Sequence, residues 1–263
     1  MRSPILFREF LKCASSSPHA LHEPQRSSAH PTLKLQSIMT MRSRLVQKRL
    51  LSSFTDKDVV VCGFARTPIG KLGGGLASKT ATQLGAVVIA ESIKRTGIDK
   101  NRIEEAFMGN VVSAGIGQAP TRQSVIYAGL NLDTPSTTIN KVCASGMKSV
   151  MFAATSIQAG YRHAVVAGGM ESMSNIPYYL PQARNGYRLG NGTVVDGLIH
   201  DGLWDIYNNQ HMGMCGEACA TKFNISRQEQ DAFAVSSYER AGAAWAAGHF
   251  NDEVVAVTLD PKK

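Results

Sequence analysis

The sequence predicts an α/β protein built on a mostly parallel sheet with helices on both faces. Three observations point there. Apolar runs of strand length alternate with segments of helical periodicity from residue 58 to residue 168. The stretches between successive strands are long enough to hold a crossover helix, which parallel pairing requires. Residues that start and stop helices fall at the ends of those stretches.

The elements follow in chain order. Asp58–Phe64 alternates apolar residues and reads as a strand, leading into a glycine-rich turn through Gly75. Gly73-Gly74-Gly75 lacks the Gly-Lys-Ser/Thr ending of a phosphate loop and the spacing of a dinucleotide fingerprint, so it reads as a plain turn. Thr80 is an N-cap for a helix to Arg95, with Gly97 as its stop. Ala106–Ser113 reads as a strand, 119–128 as a helix ended by Gly129, and Ser136–Asn140 as a third strand. Met147, Val150, Met151, Ala154 and Ile157 then recur at helical spacing up to Gly160, and 163–168 is an apolar strand. From 170 to 222 prolines and glycines break the pattern into a long excursion, a kind of segment that is often functional. Ser226-Arg227-Gln228-Glu229 is a capping box for a helix to Ala247 ahead of Gly248, and Glu253–Leu259 reads as a last strand.

On this reading Cys143 falls in the first turn of a buried-looking helix, at the C-terminal end of a strand. Unpaired N–H groups and the positive end of the helix dipole favour a thiolate at such a place. A thiolate there suits acyl transfer, since it attacks a thioester carbonyl and leaves as readily. Position alone leaves a second reading open, a small apolar residue packed under a helix.

The wider set of motifs decides between them. Lys141-Val142-Cys143-Ala144-Ser145-Gly146-Met147-Lys148 resembles the nucleophile segment of thiolases. Ala65-Arg66-Thr67-Pro68-Ile69-Gly70, Gly117-Gln118-Ala119-Pro120-Thr121-Arg122-Gln123 and Ala167-Gly168-Gly169-Met170-Glu171-Ser172-Met173-Ser174 resemble segments flanking it, in the same order. The resemblance runs from about Asp58 to about Leu259 and is strongest to the acetoacetyl-CoA thiolases of mitochondria. A different condensing enzyme, such as a ketoacyl synthase, fits the context of Cys143 less well.

The resemblance implies the first half of a duplicated thiolase fold, with 170–222 as a loop domain over coenzyme A. It implies condensation of two acetyl-CoA molecules to acetoacetyl-CoA and coenzyme A, or the reverse, with Cys143 as the acetyl carrier. It gives Leu203 a place against coenzyme A, and His211 and Met212 places lining the pantetheine and acyl pocket. Tyr238 is given a place near coenzyme A and a bound potassium ion. Each has a plainer reading beside it: Leu203 and Met212 as core, His211 as a satisfied histidine, and Tyr238 as one stripe of its helix with Phe233. No covalently bound cofactor is implied, and homodimers or homotetramers are.

One departure limits the expectation. The family's Asn-Glu-Ala-Phe, Gly-His-Pro and Cys-x-Gly segments, which supply the base and the second acid/base, do not occur in these residues. Two expectations follow. Either the chain is a truncated part of a whole acetyl-CoA C-acetyltransferase, or it is a short form that does not turn over and binds full-length thiolase subunits.

Composition excludes other classes. The net charge is +8, but residues 1–55 hold nine of the 28 basic residues and two of the 20 acidic ones. Residues 56–263 are therefore close to neutral, without the footprint of a nucleic-acid binder. The Ser- and Arg-rich, acid-poor leader reads as a mitochondrial transit peptide, with Met41–Leu51 as its basic amphipathic part and Met1, Met39 or Met41 as the start. That implies the mitochondrial matrix. No apolar run approaches a membrane span. Five cysteines without paired spacing fit a reducing compartment rather than a disulfide framework, and His211, Cys215 and Cys219 lack a fourth ligand for zinc.

Overall fold

A computed structural model describes residues 58–259. The proposed transit peptide lies outside the described residues. At the centre is a three-stranded parallel sheet in the order β2-β1-β3, formed by β1 (Glu105–Gly109), β2 (Ser136–Ile139) and β3 (Val165–Gly169). The register sets Ala106 beside Ser136 and Val166, and Gly109 beside Ile139 and Gly169. All three strands therefore end at one level. The central strand expected to reach Ser113 stops at Gly109, because the next residues turn away into hydrogen bonds with Glu171.

Alternation along β1 assigns the layers. Ala106 and Met108 point to one face and are fully buried in a cluster with Ala81, Ile89, Ile93 and Val125. These come from α1 (Ala81–Thr96) and α2 (Pro120–Tyr127). Phe107 and Gly109 point to the other face and meet α3 (Ser145–Gln158): the Phe107 and Phe152 rings lie 6.1 Å apart. The expected parallel sheet covered on both faces is present.

Helix ends follow local chemistry. Thr80 accepts from the Gln83 N–H while Gln83 returns a bond to the Thr80 N–H, and Gly97 closes α1 in the left-handed conformation that glycine adopts without strain. Ser226 and Glu229 make the same reciprocal box at the start of α5 (Arg227–Ala246).

Three expectations are corrected. Residues 58–64 and 253–259 form no strands; an isolated bridge joins Arg66, just beyond the first segment, to Val254 in the second. Val61 and Phe64 are exposed, so the alternation there does not mark a buried sheet face. The stripe of α3 is also turned. Its buried face is Ser145, Ser149 and Ala153, whereas Met147 is 70% and Met151 53% exposed. Small residues face the sheet because the backbones meet there: a Cβ on Gly109 would lie 2.5 Å from the Ser145 carbonyl carbon.

Beyond Met170 the chain makes short pieces. They are a hairpin of β4 (Tyr178–Tyr179) and β5 (Val195–Asp196), a π turn at Ile199–Leu203, a second hairpin of β6 (Trp204–Asp205) and β7 (Gln210–His211), and helix α4 (Met212–Phe223). Among the described residues no helix is long and apolar enough to cross a membrane.

Candidate active site

The three parallel strands end together, and open α/β sheets bind ligands beyond the C-terminal ends of their strands. The residues that follow each strand interlock there. After β1, the buried Asn110 gives its N–H to the Ile139 carbonyl, and its side-chain amide to the Met170 carbonyl and the Glu171 carboxylate. After β3, Glu171 accepts from the Val111 N–H at 2.8 Å and the Val112 N–H at 3.2 Å. Burial pushes the Glu171 carboxyl up, against the downward pull of these donors. After β2, Asn140 donates to the Val111 carbonyl at 3.1 Å.

The turn that follows Asn140 carries Cys143, which is an exposed free thiol. The expectation for its position is corrected by two residues: α3 begins at Ser145 with Ala144 as N-cap, so Cys143 precedes the helix rather than sitting in its first turn. The reason is a tight elbow. Val142 has φ +49°, the left-handed region, which is an outlier for a β-branched residue. Asn140 Oδ1 accepts the Val142 N–H at 2.9 Å, Ser145 Oγ donates to the Val142 carbonyl at 2.6 Å, and the Lys141 N–H donates to Ser145 Oγ at 2.8 Å. Glycines let this elbow lie on the strand ends, since a Cβ on Gly169 would meet the Gly146 Cα at 3.3 Å. Ala144 gives no side-chain cap; in the first turn of α3 the Ser145 N–H donates to the Val142 carbonyl at 3.0 Å and the Lys148 N–H to the Ala144 carbonyl at 2.8 Å.

The other expected residues are only partly gathered here. Leu203 ends the π turn, and a Cβ on the preceding Gly202 would touch Val112 at 3.6 Å, which brings this turn to the loop held by Glu171. Trp204 pairs with His211 in an antiparallel ladder, so Leu203 and Met212 lie at the same end of it. His211 serves the local structure, because its Nδ1 accepts the Gly213 N–H at 2.9 Å and caps α4. Met212 is the first residue of α4 and is half exposed. Tyr238 lies on α5 and is 82% exposed. Among the described residues no group of three or more His, Cys, Asp or Glu could hold a metal ion.

Three residues of the site, Asn110, Asn140 and Glu171, were not expected from their sequence positions. Glu171 lies inside a motif that resembles the family and Asn140 directly precedes one, but their partners are up to 61 residues away along the chain, and spacing does not reveal that.

Comparison with known proteins agrees with this geometry. The pattern of the family described as "Thiolase, N-terminal domain" matches residues 59–263. Acetyl-CoA acetyltransferase 1 of Arabidopsis thaliana is 55% identical over 207 residues, 79% of this chain and 50% of that protein. The mitochondrial acetyl-CoA acetyltransferase of Homo sapiens is 48% identical over 237 residues, 90% of this chain and 55% of that protein. The crystal structure of Acat5 thiolase from Ascaris suum in complex with coenzyme A superposes with a TM-score of 0.72 at 43% identity, covering 75% of this chain and 51% of that one. The chain thus spans about half the length of the curated relatives it matches. With the parallel sheet, the elbow and these matches together, the chain belongs to the thiolase family.

Proposed function

We propose that this chain supplies the acetyl-accepting cysteine of an acetyl-CoA C-acetyltransferase. The observation that carries the reading is the placement of Cys143: an exposed thiol on a constrained elbow, beyond the ends of a parallel sheet and ahead of a helix N-terminus without a side-chain cap. In the reaction Cys143 Sγ adds to the thioester carbonyl of acetyl-CoA, the bond to the coenzyme A sulfur breaks, and coenzyme A leaves and takes up a proton. The α-carbon of a second acetyl-CoA, having lost a proton to a base, then attacks the acetyl-cysteine. A carbon–carbon bond forms, acetoacetyl-CoA departs and the Cys143 sulfur is released.

Three of the described histidines are engaged elsewhere. His163 meets Glu104, His200 meets Asp201 and His211 caps α4, and the base is assigned to none of them. Coenzyme A is proposed to lie along Leu203, His211 and Met212, supported by the contact that brings the π turn to Val112. A potassium ion near coenzyme A is part of the proposal, with the Tyr238 hydroxyl, largely in solvent, as one of the several oxygens an alkali cation needs. The names of the mitochondrial relatives and the composition of the leader support a mitochondrial, matrix location.

The test is thiolysis of acetoacetyl-CoA by the chain co-expressed with the complementary half of a full-length relative. Turnover that is abolished by Cys143→Ala is expected. Turnover that survives Cys143→Ala would overturn the reading. A second reading, a chain that binds full-length thiolase subunits and adds no turnover, is favoured by the exposed Met147, Met151 and Tyr161. Co-purification with such subunits, without gain of activity, would support it.

A further inference from the structure

We infer that Asn140 and Glu171 are positioning residues for Cys143, acting by holding Val142 in the left-handed conformation that aims the thiol. The inference deepens the reading of Cys143 as the acetyl acceptor and rests on it. Its basis is a continuous chain of contacts across the ends of all three strands. The Glu171 carboxylate fixes Val111 through the Val111 N–H. The Val111 carbonyl fixes the Asn140 side chain, and the opposite end of that side chain holds the Val142 N–H.

Each link has a physical need for the next. A primary amide is the group that donates to one backbone and accepts from another at the same time, so Asn140 joins the β1 loop to the elbow with one side chain. The partner carbonyl must be stationary for that to work, and Glu171 together with the buried Asn110 makes it so. Asn110 is 1% exposed, and its side-chain oxygen accepts from Ser113 Oγ at 2.6 Å, so every polar atom of that side chain is used.

Val142 itself has no packing reason to be strained. Its residue is 55% exposed, and φ +49° is unfavourable for a β-branched side chain. Strain kept at an exposed residue next to a candidate nucleophile is the pattern of a site whose surroundings over-determine it. Glycine would take the same φ without strain. Positioning through Val142 therefore has a consequence that a purely structural role lacks: the need for Asn140 disappears when residue 142 is glycine.

The experiment uses the 263-residue chain and iodoacetamide, which reads the thiol without any acetyl transfer. In that reaction the cysteine sulfur bonds to the reagent's methylene carbon, iodide leaves and the thiol proton goes to solvent. The rate at Cys143 is followed by mass spectrometry of its peptide, apart from those of the other cysteines, in four proteins: the parent, Asn140→Ala, Val142→Gly and the double variant. Asn140→Ala should slow alkylation roughly 5- to 30-fold, the population factor that release of a strained left-handed residue represents. In the Val142→Gly background the same change should cost less than about two-fold, since glycine carries no such strain.

Equal losses in both backgrounds, or an unchanged or faster rate in Asn140→Ala, would overturn the inference. Glu171→Gln, read in the same two backgrounds, gives a second pair should Asn140→Ala not fold. It keeps one acceptor oxygen and should show a smaller loss that Val142→Gly also removes. If alkylation follows these expectations while the chain co-expressed with the complementary half keeps its turnover after Cys143→Ala, the positioning network stands and the acetyltransferase reading falls.

Discussion

Two regions of this chain differ in how they are held. Between Ala81 and Met170 the sheet and helices α1 and α2 enclose the whole buried apolar cluster: Ala81, Ile89, Ile93, Ile103, Ala106, Met108, Val125, Leu130 and Met170. From Glu171 to Leu259 no apolar side chain among the described residues is buried to that degree, and α4 and α5 have no buried residue. Hydrogen bonds and helix caps shape the second region, whereas excluded water holds the first. Cys143 lies on the first region, and Leu203, His211, Met212 and Tyr238 lie on the second. A rigid sheet end thus presents the thiol, and the expected substrate contacts are left on elements with little packing of their own.

The largest expected effect breaks the buried region. Met108→Ala removes a side chain that is 1% exposed and should cost about 2–5 kcal/mol of unfolding free energy, read from urea titration. Tyr238→Ala, on the exposed α5, should stay within about 0.5 kcal/mol. Similar losses for the two would erase the contrast. Amide hydrogen exchange sharpens it without mutation: the amides of β1 and α1 should open only with global unfolding, and those of α4 and α5 well before it.

A smaller effect is expected where the sheet meets the elbow. Gly109→Ala places a methyl group 2.5 Å from the Ser145 carbonyl carbon, and backbone must move. A loss of about 1–3 kcal/mol is expected, together with altered alkylation of Cys143, because α3 shifts on the strand ends. A loss of stability with no change at the thiol would show that the elbow moves independently of the sheet.

How much of this was legible in the sequence depended on the range of the interactions. Both capping boxes lie within four residues, so Thr80 and Ser226 announced α1 and α5 correctly. The parallel sheet was readable because crossover lengths and apolar runs are also local. The elbow was not. Valine is a poor sign of a left-handed residue, and what holds it there arrives from Asn140 and, through Val111, from Glu171. The face of α3 was misread for a related reason. Periodicity finds an apolar stripe, but the sheet-facing side is set by the close approach of Gly109 and Gly169, which selects serine and alanine there. The strands expected at 58–64 and 253–259 do not form, because apolar alternation does not by itself fix a ladder of backbone pairs.

The smallest effect concerns pH and the second region. The Tyr179 hydroxyl donates to Asp201 at 2.5 Å, and His200 Nδ1 lies 2.8 Å from the other carboxylate oxygen. The Tyr179 bond, then the His200 bond, hold the Asp201 carboxyl below its ordinary value of 3.8, and burial with the Asp201 bond pushes the Tyr179 phenol up to about 12. A depressed carboxyl stabilises the fold fully above its unfolded value, and that contribution is lost as pH falls through the folded value. Exchange of amides in Leu198–Leu203 should therefore rise on acidification below about pH 3.8, and Asp201→Asn should remove the dependence. The effect is modest because the cluster is solvent-exposed.

If the elbow makes Cys143 an acyl acceptor, it should set that thiol apart from the others in the chain. Incubation of the chain, co-expressed with the complementary half of a full-length relative, with acetyl-CoA, followed by peptide mass spectrometry under conditions that preserve thioesters, examines this. One acetyl group on Cys143 is expected, with the other four cysteines unmodified, and it should be lost on addition of excess coenzyme A. Acetylation spread evenly over the five cysteines, or none on Cys143, would refute the assignment.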